Sequence, residues 1–146
     1  VWDVLPVRVE AVIEGRVGRL ESTLREILTV ASVEGEDFTV QLVARLQDMS
    51  ERRLLRHLSQ ELEKRHRLVI ERGEIRVGRQ RLSRYRFRHV LFQQYLYNQL
   101  SRGERRLLHG EIAALLEELY AGRIQQITVQ LAHHYTEAGD AEKATC

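Results

Sequence analysis

The chain has 146 residues, 43% hydrophobic and 30% charged, with a formal net charge of +2, a composition typical of one helical globular unit with a sizeable core. It contains no stretch approaching the roughly 20 apolar residues of a membrane span and no signal-peptide pattern in its first residues, and its single cysteine, Cys146, excludes an internal disulfide. We therefore expect a cytoplasmic protein without membrane contact.

Hydrophobic residues at helical spacing predict four helices up to about residue 65. The first helix begins near Pro6, the only proline, and the second ends near Gly35. Asp37 or Thr39 is placed to cap a short third helix, and Ser50 to cap a longer fourth one. Two helices separated by a tight turn are typical of a helix-turn-helix.

The hydrophobic period then changes to that of β-strands. Residues 68–70 and 75–77 are predicted as strands around a turn at 72–74, followed by a polar loop at 78–83 and another strand at 85–87. Several helices followed by a β-hairpin is the order of elements in a winged helix. The predicted fold is therefore mainly α with a small β-hairpin, a winged helix followed by a helical, tetratricopeptide-like segment.

Between residues 72 and 88 there are seven arginines and one acid, Glu74. Such a segment either binds nucleic acid or another polyanion, or forms an ordinary solvated surface. If the fourth helix entered a major groove, its arginines could reach guanine edges while the hairpin arginines held phosphates. Three acids on the same helix, Glu51, Glu61 and Glu63, oppose this alternative. The candidate DNA-binding residues are Arg52, Arg53, Arg56, Arg76, Arg79 and Arg81.

His89 lies where a short strand runs straight into a helix. Tyr85 and Phe87 alternate with arginines in the period of a half-buried strand, whereas His89 and Phe92 begin an apolar stripe at helical spacing. A histidine at this junction either fills a core position or contacts something bound against the start of the helix.

The remainder of the chain is predicted to be helical. Ser101 and Glu104 form a capping-box pattern at the start of a strong helix. The residues expected to be buried on this helix are Leu107, Leu108, Ile112, Leu115, Leu116 and Leu119.

Residues 123–146 fit the start of a tetratricopeptide-type repeat, with Leu131 and Ala132 as its paired seventh and eighth positions. Gly139 is then the helix stop and Asp140 the next cap. Such a repeat unit cannot bury its apolar face alone, so we expect the chain to be a piece of a longer protein.

The sequence lacks the common catalytic motifs. It has no Gly-rich phosphate loop, no dinucleotide fingerprint and no G-x-S-x-G elbow. His133 and His134 are adjacent and should diverge by about 100° on a helix, so no metal site is expected, and His109 should be a packing or surface residue. We predict that the chain is not an enzyme and holds no cofactor of its own.

Seven short segments mark the chain in a specific order: Leu5-Pro6 and residues 15–20, 31–38, 85–89, 105–109, 131–135 and 138–140. In this order and spacing they resemble the region after the nucleotide-binding domain in bacterial STAND-class P-loop ATPases. These are large signalling and transcription-regulatory proteins, including ATPases fused to nucleotidyl cyclase or LuxR-type domains. In this family a winged helix links the ATPase core to tetratricopeptide repeats.

The resemblance implies four parts: a linker helix from a nucleotide-binding domain over residues 1–20, a winged-helix domain over 21–100, a connecting helix over 101–122 and the repeat start over 123–146. It implies a non-catalytic module that packs on the nucleotide-binding domain of the same polypeptide and links it to downstream helical repeats. ATP or ADP would be bound by the parent protein rather than by this chain alone.

In such ATPases, the helix after the hairpin carries a Met-His-Asp type motif whose histidine contacts the phosphate of ADP. Arg88, His89 and Val90 take these places, and only the histidine matches. The resemblance thus implies that His89 is an ADP phosphate contact in the parent protein. Two alternatives stay open: an autonomous DNA-binding winged-helix domain, and a protein-interaction adaptor that acts through the repeats.

Overall fold

The computed structural model describes residues 7–139, which are mainly helical with a small antiparallel sheet, as predicted. The predicted roles of Pro6 and Asp140 lie outside the described residues. No helix in the described part is long and apolar enough to cross a membrane. In chain order the elements are α1 (Val7–Gly18), α2 (Ser22–Glu34), β1 (Asp37–Thr39), α3 (Val40–Leu46), α4 (Glu51–Arg56, continuing as a π-helix over His57–Arg65), β2 (Val69–Val77), β3 (Gln80–Phe87), α5 (Val90–Gln99), α6 (Arg102–Leu119), a 3-10 turn (Ile124–Ile127) and α7 (Thr128–Glu137).

The sheet has the strand order β1-β3-β2, with both neighbouring pairs antiparallel. A two-residue turn joins β2 to β3, since Val77 pairs with Gln80. Gly78 begins this turn with a φ of 62°, in the left-handed region that glycine adopts without steric cost. β1 pairs only with residues 84–86 of β3, so the end of the hairpin near the turn extends beyond β1.

Two sequence expectations for the hairpin are wrong. The predicted turn at 72–74 is a bulge within a continuous β2, where the pairing register shifts between Glu71 and Gly73. The predicted loop at 78–83 mostly belongs to β3, with Leu82 fully buried between exposed or half-buried polar neighbours. The polar composition was misleading because one face of an antiparallel hairpin can be solvated along its whole length.

The expected cap of α3 is right in position but not in contact. Thr39 occupies the N-cap position of α3, but its side chain makes no capping hydrogen bond, and Asp37 and Thr39 both belong to β1. The Thr39 hydroxyl instead donates to the Glu34 carboxylate at 2.8 Å, while Asp37 forms a bidentate ion pair with Arg86 across β1 and β3. The hydrogen bonds from Arg86 hold the pKa of Asp37 below its ordinary value. These contacts fasten the short β1 strand to the rest of the fold.

The two predicted serine caps are confirmed. The Ser50 hydroxyl accepts from the backbone N–H of Arg53 at 3.2 Å. Ser101 and Glu104 form the reciprocal capping box, with distances of 3.2 Å and 2.9 Å. Gly139, with a φ of 82°, follows the end of α7 as its predicted stop. Local patterns therefore located these helix ends correctly.

The buried stripe of α6 is narrower than predicted. Leu107 is 68% exposed, and Leu108 and Leu115 are only partly buried. The buried residues of this helix follow one face at helical spacing and include a histidine. They are His109, Ile112, Ala113, Leu116 and Leu119.

Candidate functional site

His89 occupies the junction between β3 and α5, in the N-cap position of the helix. Its backbone is extended, with φ −129° and ψ 124°, and its side chain makes no capping hydrogen bond. The side chain is exposed, whereas Phe92 is buried at 4% exposure. Of the two interpretations left open by the sequence, the core position is therefore wrong, and Phe92 fills that place.

Backbone hydrogen bonds fix this junction on both sides. The N–H of Phe87 donates to the carbonyl of Glu36, and the N–H of Arg88 donates to the carbonyl of Leu68, each at 2.9 Å. The Arg88 side chain is exposed beside His89. The chain thus presents an imidazole and a guanidinium at the amino end of α5, where the helix dipole favours an anion.

All six candidate DNA-binding arginines are exposed, but the basic segment does not form one continuous surface. Arg86 is paired with Asp37, and the half-buried Arg84 lines a cavity. Arg81 lies 3.9 Å from Glu74, close enough for a weak ion pair. The arginines on α4 are Arg52, Arg53 and Arg56, and those on the hairpin are Arg76, Arg79 and Arg81.

The three acids near these arginines are engaged within the fold. Glu51 accepts a hydrogen bond from Gln41, and Glu61 pairs with Arg65 on the same helix. The Glu63 carboxylate accepts from the backbone N–H of Glu71 at the start of β2. Among the described residues, only Glu61 has its charge offset by an ion pair, so the negative charges of Glu51 and Glu63 still oppose DNA binding.

A cluster of three histidines, not predicted from the sequence, joins α6 to α7. His109 of α6 and His134 of α7 are buried, and their Nδ1 atoms lie 2.8 Å apart. The exposed His133 packs against both, with ring centroids 5.4 Å from His109 and 5.1 Å from His134. On the other side, His109 Nε2 lies 2.8 Å from the hydroxyl of Tyr97 on α5. We call His109, His133 and His134 the histidine cluster.

The expectation that His133 and His134 would diverge does not hold in the structure. Their ligand atoms and that of His109 all lie within 4.8 Å of one another. Adjacent Cβ directions on a helix differ by about 100°, but the imidazole rings reach far enough to converge on a third ring from a neighbouring helix. The sequence feature that could have indicated this cluster was a histidine on the apolar stripe of α6 together with a histidine pair on the next helix.

Burial determines the protonation of His109 and His134, the two buried histidines of the cluster. It lowers the pKa of His109 to about 4 and that of His134 to about 3, with a smaller contribution from the neighbouring imidazoles. Burial also raises the pKa of Tyr97. Near pH 7, both inner imidazoles are therefore neutral, and each has one N–H donor and one nitrogen lone pair.

Two polar cavities flank the cluster. The larger, about 380 Å³, is lined by His109, His133, Tyr97 and Arg105, among others. The smaller, about 260 Å³, is lined by residues that include His134 and Arg84. Among the described atoms, the buried Nε atoms of Arg84 and Arg105 have no hydrogen-bond partner. Arg84 lines the smaller cavity and Arg105 the larger one, so each cavity has a cationic side chain in its wall.

The half-buried Glu34 lines both cavities. Its carboxylate accepts from the backbone N–H and the hydroxyl of Thr39, both at 2.8 Å. Burial raises the pKa of this carboxyl group above its ordinary value, against the effect of the two hydrogen bonds. Glu34 thus serves mainly to hold β1 against the end of α2.

Comparison with protein-family models, with curated protein sequences and with solved structures gives no match.

Proposed function

We propose that this chain is a non-catalytic regulatory and interaction module of a multidomain STAND-class ATPase that acts in signalling or transcription regulation. The element order supports this proposal, because helices, a short strand and a hairpin follow one another as α2, β1, α3, α4, β2 and β3, which is the order expected of a winged helix. In the parent protein, this module packs on the nucleotide-binding domain.

The helices α6 and α7 support the second half of the proposal, a link to helical repeats. They pack against each other and leave a shallow apolar groove lined by residues that include Leu107, Ala114 and Tyr135. Val129 on α7 is 79% exposed. A repeat array buries such surfaces by stacking successive helix pairs.

The observation that carries the proposal is that the His89 side chain, in the N-cap position of α5, is exposed and makes no capping hydrogen bond. An imidazole N–H there can donate to a phosphate oxygen, while the helix dipole and Arg88 add favourable electrostatics. Contact between His89 and the phosphate of ADP would keep the module closed over the nucleotide in the resting state. ATP and ADP are then ligands of the parent protein, and this chain contributes one contact.

Replacing His89 with leucine in the parent protein is expected to speed ADP release by about 5- to 20-fold and to raise basal activity. One hydrogen bond to a charged group contributes about 1.5–3 kcal/mol, part of which water replaces in the variant. Release of a fluorescent ADP analogue in a stopped-flow instrument measures this effect. His89→Gln keeps a donor near the Nε2 position and should give an intermediate rate. Wild-type release rates in both variants would refute the assigned contact.

The exposed arginines favour an autonomous DNA-binding domain as the second candidate. Fluorescence anisotropy with duplex DNA distinguishes the two functions. We expect no binding tighter than a Kd of about 10⁻⁴ M at physiological salt, the weakest affinity in the usual range for non-specific DNA binding. Tighter binding that weakens steeply with salt and is lost on changing Arg52, Arg53 and Arg56 to glutamine would instead support DNA binding. The matched control changes three exposed arginines outside these surfaces, Arg102, Arg106 and Arg123, to glutamine.

A third candidate, a protein-interaction adaptor acting through the repeats, depends on the same groove between α6 and α7. It differs from the main proposal in requiring no contact between His89 and nucleotide.

A further inference from the structure

The histidine cluster has the composition and the spacing of a metal ligand set. In a tetrahedral zinc site, Zn–N bonds of 2.0–2.1 Å place the ligand nitrogens about 3.3 Å apart. The Nδ1 atoms of His109 and His134 lie 2.8 Å apart, and all three ligand atoms lie within 4.8 Å of one another. A tetrahedral ion needs the two Nδ1 atoms to separate slightly, and His133, which is exposed, can adjust its side chain without opening the core.

We propose that His109, His133 and His134 bind a divalent transition-metal ion, Zn²⁺ in particular. This inference goes beyond the regulatory function proposed above and does not depend on it. It also replaces the sequence-based expectation that the chain has no metal site, an expectation that assumed divergent histidines.

The choice of Zn²⁺ follows from the type of ligand. The cluster offers three imidazole nitrogens and no thiolate or carboxylate. Mg²⁺ and Ca²⁺ prefer oxygen ligands, whereas imidazole suits Zn²⁺ and its neighbours in the first transition row. Three protein ligands leave a fourth position open, as in zinc sites that hold a water or a small anion. The cluster lines both polar cavities, with His109 and His133 in the wall of the larger one and His134 in the wall of the smaller one.

The protons can rearrange to allow binding. His109 and His134 share one proton between their Nδ1 atoms, and a metal at this place needs both lone pairs. Each neutral imidazole must therefore carry its single proton on Nε2. In His109 this Nε2–H then donates to the Tyr97 hydroxyl oxygen, which lies 2.8 Å away. Tyr97 thus fixes the tautomer and ring orientation of a ligand, as groups next to metal-bound histidines usually do. The rearrangement moves a proton within a ring and releases none from these two imidazoles.

Zinc titration by calorimetry tests the site directly. The chain carries Cys146→Ser and has no polyhistidine tag, so that neither a tag nor the only thiol can bind metal. It is treated with EDTA, and the chelator is then removed. We expect one Zn²⁺ per chain with a Kd of about 1 µM or tighter. Co²⁺ in place of Zn²⁺ should give the strong visible absorption of a four-coordinate ion. Added Zn²⁺ should also raise the melting temperature, because it binds only the folded chain tightly.

Variants in the same Cys146→Ser background assign the ligands. His133→Ala removes an exposed side chain, so the fold should survive, and we expect Zn²⁺ affinity to fall at least about 100-fold with loss of the melting-temperature shift. Tyr97→Phe should weaken binding by about 10-fold, since it removes the partner of His109 rather than a ligand. His66→Ala changes a histidine outside the cluster, in the C-cap position of the π-helical segment, and should leave the affinity unchanged. Circular dichroism checks the fold of each variant.

Two results would overturn the proposal: a Kd weaker than about 100 µM for the unsubstituted cluster, or equal affinities in the His133→Ala and His66→Ala variants. Neither result bears on the ADP contact proposed for His89, because that residue lies at the start of α5, outside the cluster.

Discussion

Replacing Phe38 with alanine is expected to lower the free energy of unfolding by about 3–5 kcal/mol, the usual cost of removing a buried phenylalanine side chain. Phe38 is fully buried, although β1 has only three residues. Its ring stacks on Tyr85 at a centroid distance of 6.2 Å and packs at 5.4 Å against Phe87, both on β3. The substitution therefore leaves a cavity between the sheet and the helices and removes two aromatic contacts.

Urea denaturation measures this loss. Phe38→Leu keeps most of the buried apolar volume and should cost less than the alanine variant, whereas Val129→Ala, at a position 79% exposed, should lie within about 0.5 kcal/mol of the wild type. A loss below about 1.5 kcal/mol in Phe38→Ala would show that the sheet and helices stay packed without this ring.

The importance of Phe38 illustrates what the sequence could and could not predict. Helical spacing of hydrophobic residues predicted a fourth helix up to about residue 65, and Leu54, Leu58 and Leu62 on α4 and its π-helical extension are fully buried. By contrast, β1 exists because residues 37–39 pair with residues 84–86 of β3. That pairing is a tertiary interaction, and three residues are too few to show a period of their own.

The same distinction applies to the two sites. The sequence located the junction at His89 correctly but could not determine whether the side chain was buried. A residue in the N-cap position lies outside the helix, so its side chain need not follow the apolar stripe that Phe92 continues. The histidine cluster depends on how α6 packs against α7, and no local pattern determines which of their residues meet.

Lowering the pH from 7 to 4 is expected to reduce the free energy of unfolding by on the order of 3 kcal/mol through the buried histidine pair, about half of what the two lowered pKa values alone would give, because solvent partly screens the charge on the folded imidazoles. The folded-state pKa is about 4 for His109 and about 3 for His134, whereas both should titrate near 6.5 in the unfolded chain. Above about pH 6.5 both states are neutral, and the full stability is present. As the pH falls from there toward the folded-state values, the unfolded chain binds more protons, and stability is progressively lost.

Urea denaturation at several pH values, in EDTA so that no metal is bound, measures this dependence. Glu34 and Asp37 also titrate, with effects of opposite sign, because the first has a raised and the second a lowered pKa. The His134→Asn variant isolates the histidines, since it keeps a polar atom near the Nδ1 position, does not titrate and leaves both carboxyl groups in place. Its stability should depend clearly less on pH between 6.5 and 4 than that of the wild type. Equal dependence would mean that His134 is solvated enough to accept a proton in the folded state.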